Sequence, residues 1–225
     1  AGARLRELAA AAGSRSGAGA SRAVSAATAR PTGSPPRRTP RSQQGVSFRP
    51  ALGGQLSTGL DTSELPFRDE TFDVVVARQV LHYLASPAAA VAEAARVLRR
   101  NGTLIVAQIV PLESPDDIAW WTTAVTMRQP LRQNALTGEK IRRVVEDSGL
   151  IVREEREVRG RSSMRNWLER YPVDDEVAER VRAHFRAAPA EVAHAREFES
   201  TADGDVVFTI RWVIWRAGPA EQRKI

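Results

Sequence analysis

The chain has 225 residues, 42% of them hydrophobic and 27% charged, with no cysteine and three separated histidines, His82, His184 and His194. That composition excludes disulfides, thiolate metal sites and a cysteine nucleophile, and no run approaches the length of apolar sequence that spans a bilayer. The net charge of +6 is a local property: residues 1–50 hold nine Arg and only Glu7 as an acid, while the rest of the chain holds 24 basic and 26 acidic residues.

Residues 1–45 lack any aromatic side chain and are dominated by Gly, Ser, Pro and Arg, so they are expected to be a basic, disordered segment with at most a short helix near residues 3–12. An Arg-rich, acid-poor start also fits an organelle transit peptide. As a nucleic-acid arm it is a poor fit, because it has no Lys and no interleaved aromatic residue. A folded domain is expected over residues 46–217, with a tail at 218–225. The absence of cysteine suits a reducing compartment, and a cytoplasmic location is expected.

Regular patterning begins at Leu65. The run "FDVVVA" predicts a strand covered on both faces in a parallel sheet. Ser86 with Pro87 predicts a capped helix start, with Val91, Ala94, Ala95 and Leu98 on one face. "RRNG" predicts its end, with Asn-Gly in the left-handed conformation, and "TLIVAQIV" (103–110) predicts a second buried strand. This is a βαβ unit. Further on, 137–149 predicts a helix, "LIVREEREVRG" a strand, 174–198 a long helix and "DVVFTIRWVIWRA" (205–217) an antiparallel strand at the sheet edge. The polar pair Arg78-Gln79 ends the first strand because strand ends face the ligand crevice of such sheets.

The stretches "LPFRDETFDVVVARQVLHYL" and "AEAARVLRRNGTLIVA", in that order and spacing, resemble the class I S-adenosylmethionine-dependent methyltransferases of the small-molecule type. The resemblance implies an α/β fold: a Rossmann-like, doubly wound, mostly parallel sheet, incomplete or disordered at its amino terminus. It also implies S-adenosylmethionine as cofactor and a small-molecule methyl acceptor, with no membrane partner. By the same resemblance Asp61 stands where an acidic side chain accepts from the adenine amino group, and Thr62 where a backbone amide meets the ring. Arg78 stands beside the methionine part, and His82 at the active-site mouth, where a neutral imidazole can act as general base. Plain readings stand beside these: a turn aspartate, a solvated arginine and a helix-start histidine. If "VSF" (46–48) is the third strand, Asp61 also lies too far along the chain.

Two parts of the family pattern are absent. No apolar strand runs into a Gly-rich turn, and no Asp or Glu occurs between Glu7 and Asp61, so that region cannot supply the acid that holds the ribose hydroxyls. The Arg, Ala, Gly, Ser and Pro bias of the first 60 residues fits either a shifted reading frame of a GC-rich gene or a natural basic tail on a diverged domain. Weak or no cofactor binding is expected, and a non-catalytic binding or partner subunit with this fold is the alternative function. Trp120, Trp121 and Met127 can line an acceptor pocket or pack in a core. Arg128 and Arg132 are available for an acidic or phenolic group, and "SSMRNWLERY" (162–171) is a second segment for the mouth.

Overall fold

The computed structural model describes residues 63–171 and 173–220, together with the backbone of three short strands, β1 (Ala23–Ala26), β2 (Val46–Phe48) and β3 (Leu56–Thr58). The helix expected near residues 3–12, Asp61 and Thr62 lie outside the described residues. The main sheet is built from β4 (Phe72–Arg78), β5 (Leu98–Val110), β6 (Leu150–Ser163) and β8 (Val206–Pro219). Its order is β1-β4-β5-β8-β6, and the two-residue β7 (Glu199–Ser200) lies along β8. Strands β4 and β5 are parallel, β8 runs antiparallel to both β5 and β6, and β1 is antiparallel to β4. Thus β4, β5 and β6 share one direction and β8 opposes them. The last strand is therefore antiparallel as expected, but it is interior and not an edge. Residues 46–48 pair with β3 in a separate two-stranded sheet, so "VSF" is not a strand of the main sheet.

Among the described residues six helices form, five of them started by a side-chain cap. They are α1 (Pro87–Val97), α2 (Pro115–Arg128), α3 (Gly138–Asp147), α4 (Met164–Glu169), α5 (Asp175–Arg186) and α6 (Ala190–Ala195). In the first five, Ser86, Ser114, Thr137, Ser163 and Asp174 each accept from the backbone N–H three residues on, satisfying a donor that has no partner inside the helix. The long helix expected over 174–198 is two helices, because Pro189 between them has no N–H to continue the ladder.

The end of α1 differs from expectation. Helix gives way directly to strand at Leu98, and the described non-glycine residues with positive φ are Glu70, Gln79 and Glu197, so Asn101 takes no left-handed turn. Gly102 is required for space instead. A Cβ there would meet the Arg99 carbonyl oxygen at 2.8 Å, and one on Gly218 would meet the Gly102 oxygen at 2.8 Å.

Two apolar cores flank the sheet. One joins β4 and β5 to α1 and α3 through Val75, Val91, Val97, Leu104, Ile141 and Val145. The other gathers Trp120, Trp121, Trp167, Phe185 and Phe208 from α2, α4, α5 and β8. Strand β8 belongs to both, with Phe208 in the second and Val213, Trp215 and Ala217 in the first. Along β5 the residues Leu104, Val106, Gln108 and Val110 are buried, whereas Ile105, Ala107 and Ile109 between them are half-buried.

A polar clasp holds the loop before β4 to α1. Glu93 Oε2 accepts from Leu65 N at 2.7 Å, while Arg96 donates to the carbonyls of Phe67 (2.8 Å) and Leu65 (3.0 Å) and to Asp69 Oδ1 (2.7 Å). The Arg96 guanidinium, hydrogen-bonded to Glu93, holds its carboxyl below the ordinary glutamate range. A depressed folded pKa gives stability that is present above the unfolded pKa of about 4.3 and is lost as pH falls through the folded value. The Glu93→Gln chain is therefore expected to be less stable at neutral pH and to lose less of its melting temperature than wild type between about pH 5 and pH 3. Thermal melts across that range check it; parallel pH curves for the two proteins would refute it.

The second core encloses an ion pair with both side chains fully buried. Arg196 reaches Asp117 through Nε at 2.5 Å and Nη2 at 2.7 Å, donates Nη1 to the Thr209 carbonyl at 3.1 Å, and stacks 4.2 Å from the Trp121 ring centroid. Asp117 Oδ2 also accepts from Leu112 N at 2.6 Å. Every oxygen of the carboxylate is used, which is the condition under which a buried pair is tolerated. Arg196→Met alone leaves a buried carboxylate unpaired and is expected to cost about 3–5 kcal/mol, whereas adding Asp117→Leu restores part of that loss. Urea melts of the two variants test this, and a double variant weaker than the single would contradict it.

Candidate functional site at the ends of β4 and β5

The polar pair that ends the first apolar strand sits at a sharp exit. Ala77 is buried and Arg78 exposed, and Gln79 makes a last strand hydrogen bond from its N–H to the Ala107 carbonyl at 2.9 Å. Gln79 then adopts φ 52°, the left-handed region, which turns the chain out of the sheet into a single 3-10 turn at Leu81–Tyr83. A side chain other than Gly or Asn held there is strained, and such strain is found where a site over-determines the backbone.

Beneath that turn lies a small polar network. Gln108, fully buried at the end of β5, donates Nε2 to Gln79 Oε1 at 3.1 Å and contacts His82 Nδ1. His82 is itself buried, at 2% exposure. Its Nδ1 is engaged by Gln108, so any proton it exchanges with a substrate passes through Nε2. The His82 carbonyl accepts from Gln133 N (2.9 Å) and Asn134 N (3.2 Å), which ties the segment after α2 to the mouth. Two buried polar atoms of the network, Gln79 Nε2 and Gln108 Oε1, have no hydrogen-bond partner. Buried groups left so are rare in folded proteins and commonly await a ligand or water.

Arg78 reaches 5.3 Å from the Trp212 ring centroid, and its pKa is lowered by partial burial and then by the charge of Arg170. Arg78 and His82 thus stand on the same turn, whereas Asp61 and Thr62 fall outside the described residues. The tryptophans of α2 do not line a pocket: Trp120 and Trp121 are 5% and 2% exposed and pack against Phe185, Trp167 and Phe208. The segment 162–171 likewise places Met164, Trp167 and Leu168 in the core. A hollow under α1, lined by Val75, Ala77, Val80, Leu81 and Leu84 among others, is apolar throughout and offers a nucleoside no hydrogen-bond partner. Among the described residues no group of three His, Cys, Asp or Glu side chains could hold a metal, and no helix is long and apolar enough to cross a membrane.

Gln79 and Gln108 escaped the sequence reading. Gln108 left a signal, as the lone polar residue within "TLIVAQIV"; Gln79 was visible only as a strand terminator.

Residues 48–106 match the sequence family described as "Methyltransferase domain". Two solved structures share the architecture. One is a candidate methyltransferase from Bacillus halodurans C-125, with a TM-score of 0.66 at 21% identity, covering 71% of this chain and 76% of that one. The other is the YcgJ protein of Bacillus subtilis, also at 0.66, with 17% identity over 79% of this chain and 72% of that one. This is the class I methyltransferase fold. Among curated proteins, the uncharacterized protein YafE of Escherichia coli K12 is 26% identical over 129 residues, 57% of this chain and 62% of its own length. The chain therefore spans about three fifths of that relative. The methyltransferase resemblance read from "LPFRDETFDVVVARQVLHYL" is borne out.

Because Gln79 carries φ 52°, Gln79→Val should lower the melting temperature, as a β-branched residue in that region costs about 1–3 kcal/mol, roughly 2–4 °C for each kcal/mol in a chain this long. Gln79→Gly should be the milder change. Calorimetric melts of both decide it, and a Val variant as stable as the Gly variant would rule out a left-handed exit.

Proposed function

We propose that this chain is an S-adenosylmethionine-dependent methyltransferase acting on a small molecule, with cofactor held weakly and from its methionine end. The observation that supports it is the turn at Gln79, where a left-handed exit from β4 lies over buried, unpartnered amide atoms of Gln79 and Gln108 beside Arg78. These groups fit the amino-acid end of such a cofactor: a cation and the amide donor Gln79 Nε2 for the carboxylate, and the amide acceptor Gln108 Oε1 for the ammonium. They do not extend to the ribose, because no carboxylate occurs between Glu7 and Asp61.

When bound, the cofactor supplies an already activated methyl group. What remains for this chain is to align an acceptor and exclude water. His82, the imidazole of this mouth, is the base candidate through Nε2. Gln108 fixes the ring from the other side.

Isothermal titration of the full chain with S-adenosylmethionine tests the reading. The missing ribose acid removes a charge-assisted contact of about 1.5–3 kcal/mol, or roughly a 10- to 100-fold loss, so binding is expected to be weaker than micromolar. Arg78→Ala should abolish the remaining heat. Slow formation of S-adenosylhomocysteine with a small-molecule extract, lost in His82→Gln, completes the expectation. No heat at millimolar cofactor and no turnover would instead assign the chain to the alternative, a non-catalytic partner subunit, which the missing acid favours.

A further inference from the structure

Close to this mouth lie arginines that no acidic side chain balances. Arg128, at the end of α2, is 8% exposed. It donates Nη1 to the Trp167 carbonyl and lies 3.9 Å from the Trp167 ring centroid and 5.7 Å from that of Tyr171, while its Nε is buried without any hydrogen-bond partner. Arg132, one turn further on, donates only to neutral oxygens, the Asn134 carbonyl and Gln129 Oε1, each at 3.2 Å. Burial draws both guanidinium groups down to about 10, and the charges of Arg132 and Arg170 add to the effect on Arg128.

The contrast with the rest of the molecule is sharp. Arg96, Arg99, Arg142, Arg196 and Arg211 each meet at least one carboxylate within 3.1 Å. Among the described residues Arg68, Arg78, Arg128, Arg132, Arg156 and Arg170 meet none within salt-bridge distance, and of these only Arg128 is buried and Arg132 half-buried, the other four being exposed. Aromatic faces recover part of what a buried cation loses in leaving water, but like charges nearby add to the deficit. An oxyanion in their midst removes it, and the planar guanidinium fork matches a carboxylate or phosphate through paired hydrogen bonds.

The place is continuous with the mouth. The segment carrying Arg132 is bonded to the His82 carbonyl through Gln133 and Asn134, and the Asn134 side chain donates to the Leu84 carbonyl. We propose that Arg128 and Arg132 form the acceptor's anchor: the methyl acceptor carries an oxyanionic group, carboxylate or phosphate, which these two side chains hold while its reacting atom faces the turn at Gln79 and His82. This rests on the methyltransferase reading above for the identity of the ligand as acceptor, though not for the existence of the anion site.

The test is titration of the full chain with inorganic phosphate and, in a second arm, with acetate, at ionic strength held constant with chloride. Saturable binding of one or both probes is expected, and which one binds more tightly tells phosphate from carboxylate. Arg132→Gln, with an unchanged circular dichroism spectrum, should weaken the better probe by at least about tenfold. If that variant does not fold, Arg128→Lys carries the comparison, since it keeps the charge and loses the fork. Excess S-adenosylmethionine should not displace the probe. Absence of saturable binding, equal affinity in the folded variant, or displacement by the cofactor would each overturn the proposal, the last because the anion held there would be the cofactor's own carboxylate. Should phosphate binding be lost in Arg132→Gln while the chain shows no affinity for S-adenosylmethionine, the methyltransferase reading falls and the anion site stands.

Discussion

The parallel seam between β4 and β5 is the constraint on which the site depends. Its register runs from Val74 opposite Thr103 to Arg78 opposite Ala107, and the Gln79 N–H extends it by one bond before the backbone turns away. Two strands leaving a sheet in the same direction expose their terminal polar groups together, so Gln79 and Gln108 meet across the seam without any loop having to carry them there. Because side chains alternate faces, a shift of one residue would point Gln108 to the opposite face and bring Ala107 or Ile109 under the turn. The left-handed residue, the buried amide pair and the engaged imidazole are consequences of that one register.

Strand β8 does for the second half of the molecule what this seam does for the first. It lies between β5 and β6, pairs with β6 along most of its length and with β5 over Arg211–Ala217, and contributes to two apolar cores that otherwise have little in common. Helix α2, packed into the second core through Trp120, Trp121, Ala124 and Val125, is also tied by the Asp117–Arg196 pair, which joins its first turn to the end of α6 and, through the Thr209 carbonyl, to β8. Trp120, Trp121, Trp167, Phe185 and Phe208 gather around this joint, and their burial compensates for taking two charges out of water. The helices that carry Arg128 and Arg170 are thereby held against the same sheet that presents Gln79.

What could be seen in the sequence follows the range of the interactions involved. The Ser86 cap acts over three residues, and the strands at 72–78 and 103–110 declare themselves by apolar runs, so these were legible. The role of "LPF" and "AEAARVL" was not, because Glu93 and Arg96 clasp a loop some thirty residues away and the motif resembles a site only by proximity to one. "RRNG" misled for a related reason: Asn-Gly is a good left-handed pair locally, but pairing of Leu98 with Phe72 draws the chain into β5 at once and uses Gly102 for close approach. The interior position of β8 depends on which strand reaches β5 first, and nothing local records that. The two tryptophans of α2 carried both readings, pocket and core, and the acid that decides between them, Asp117, pairs with a residue 79 positions on.

Charge distribution carries the last step. In the described domain nearly every arginine that lies on the surface is matched by a glutamate or aspartate nearby, as expected of a fold whose acids and bases are close to balance. Such exposed pairs contribute little each and are easily exchanged. Exposed Arg68 and Arg156 are exceptions, and so are four arginines where the chain leaves β4 and where α2 and α4 end, of which Arg78 lies against Trp212 and Arg128 against Trp167 and Tyr171. Buried Arg128 and half-buried Arg132, with exposed Arg78 and Arg170, set a positive potential near the turn where the buried amides of Gln79 and Gln108 also lack partners. Both deficits, of charge and of hydrogen bonds, are relieved by the same kind of molecule: one that is anionic and rich in polar atoms.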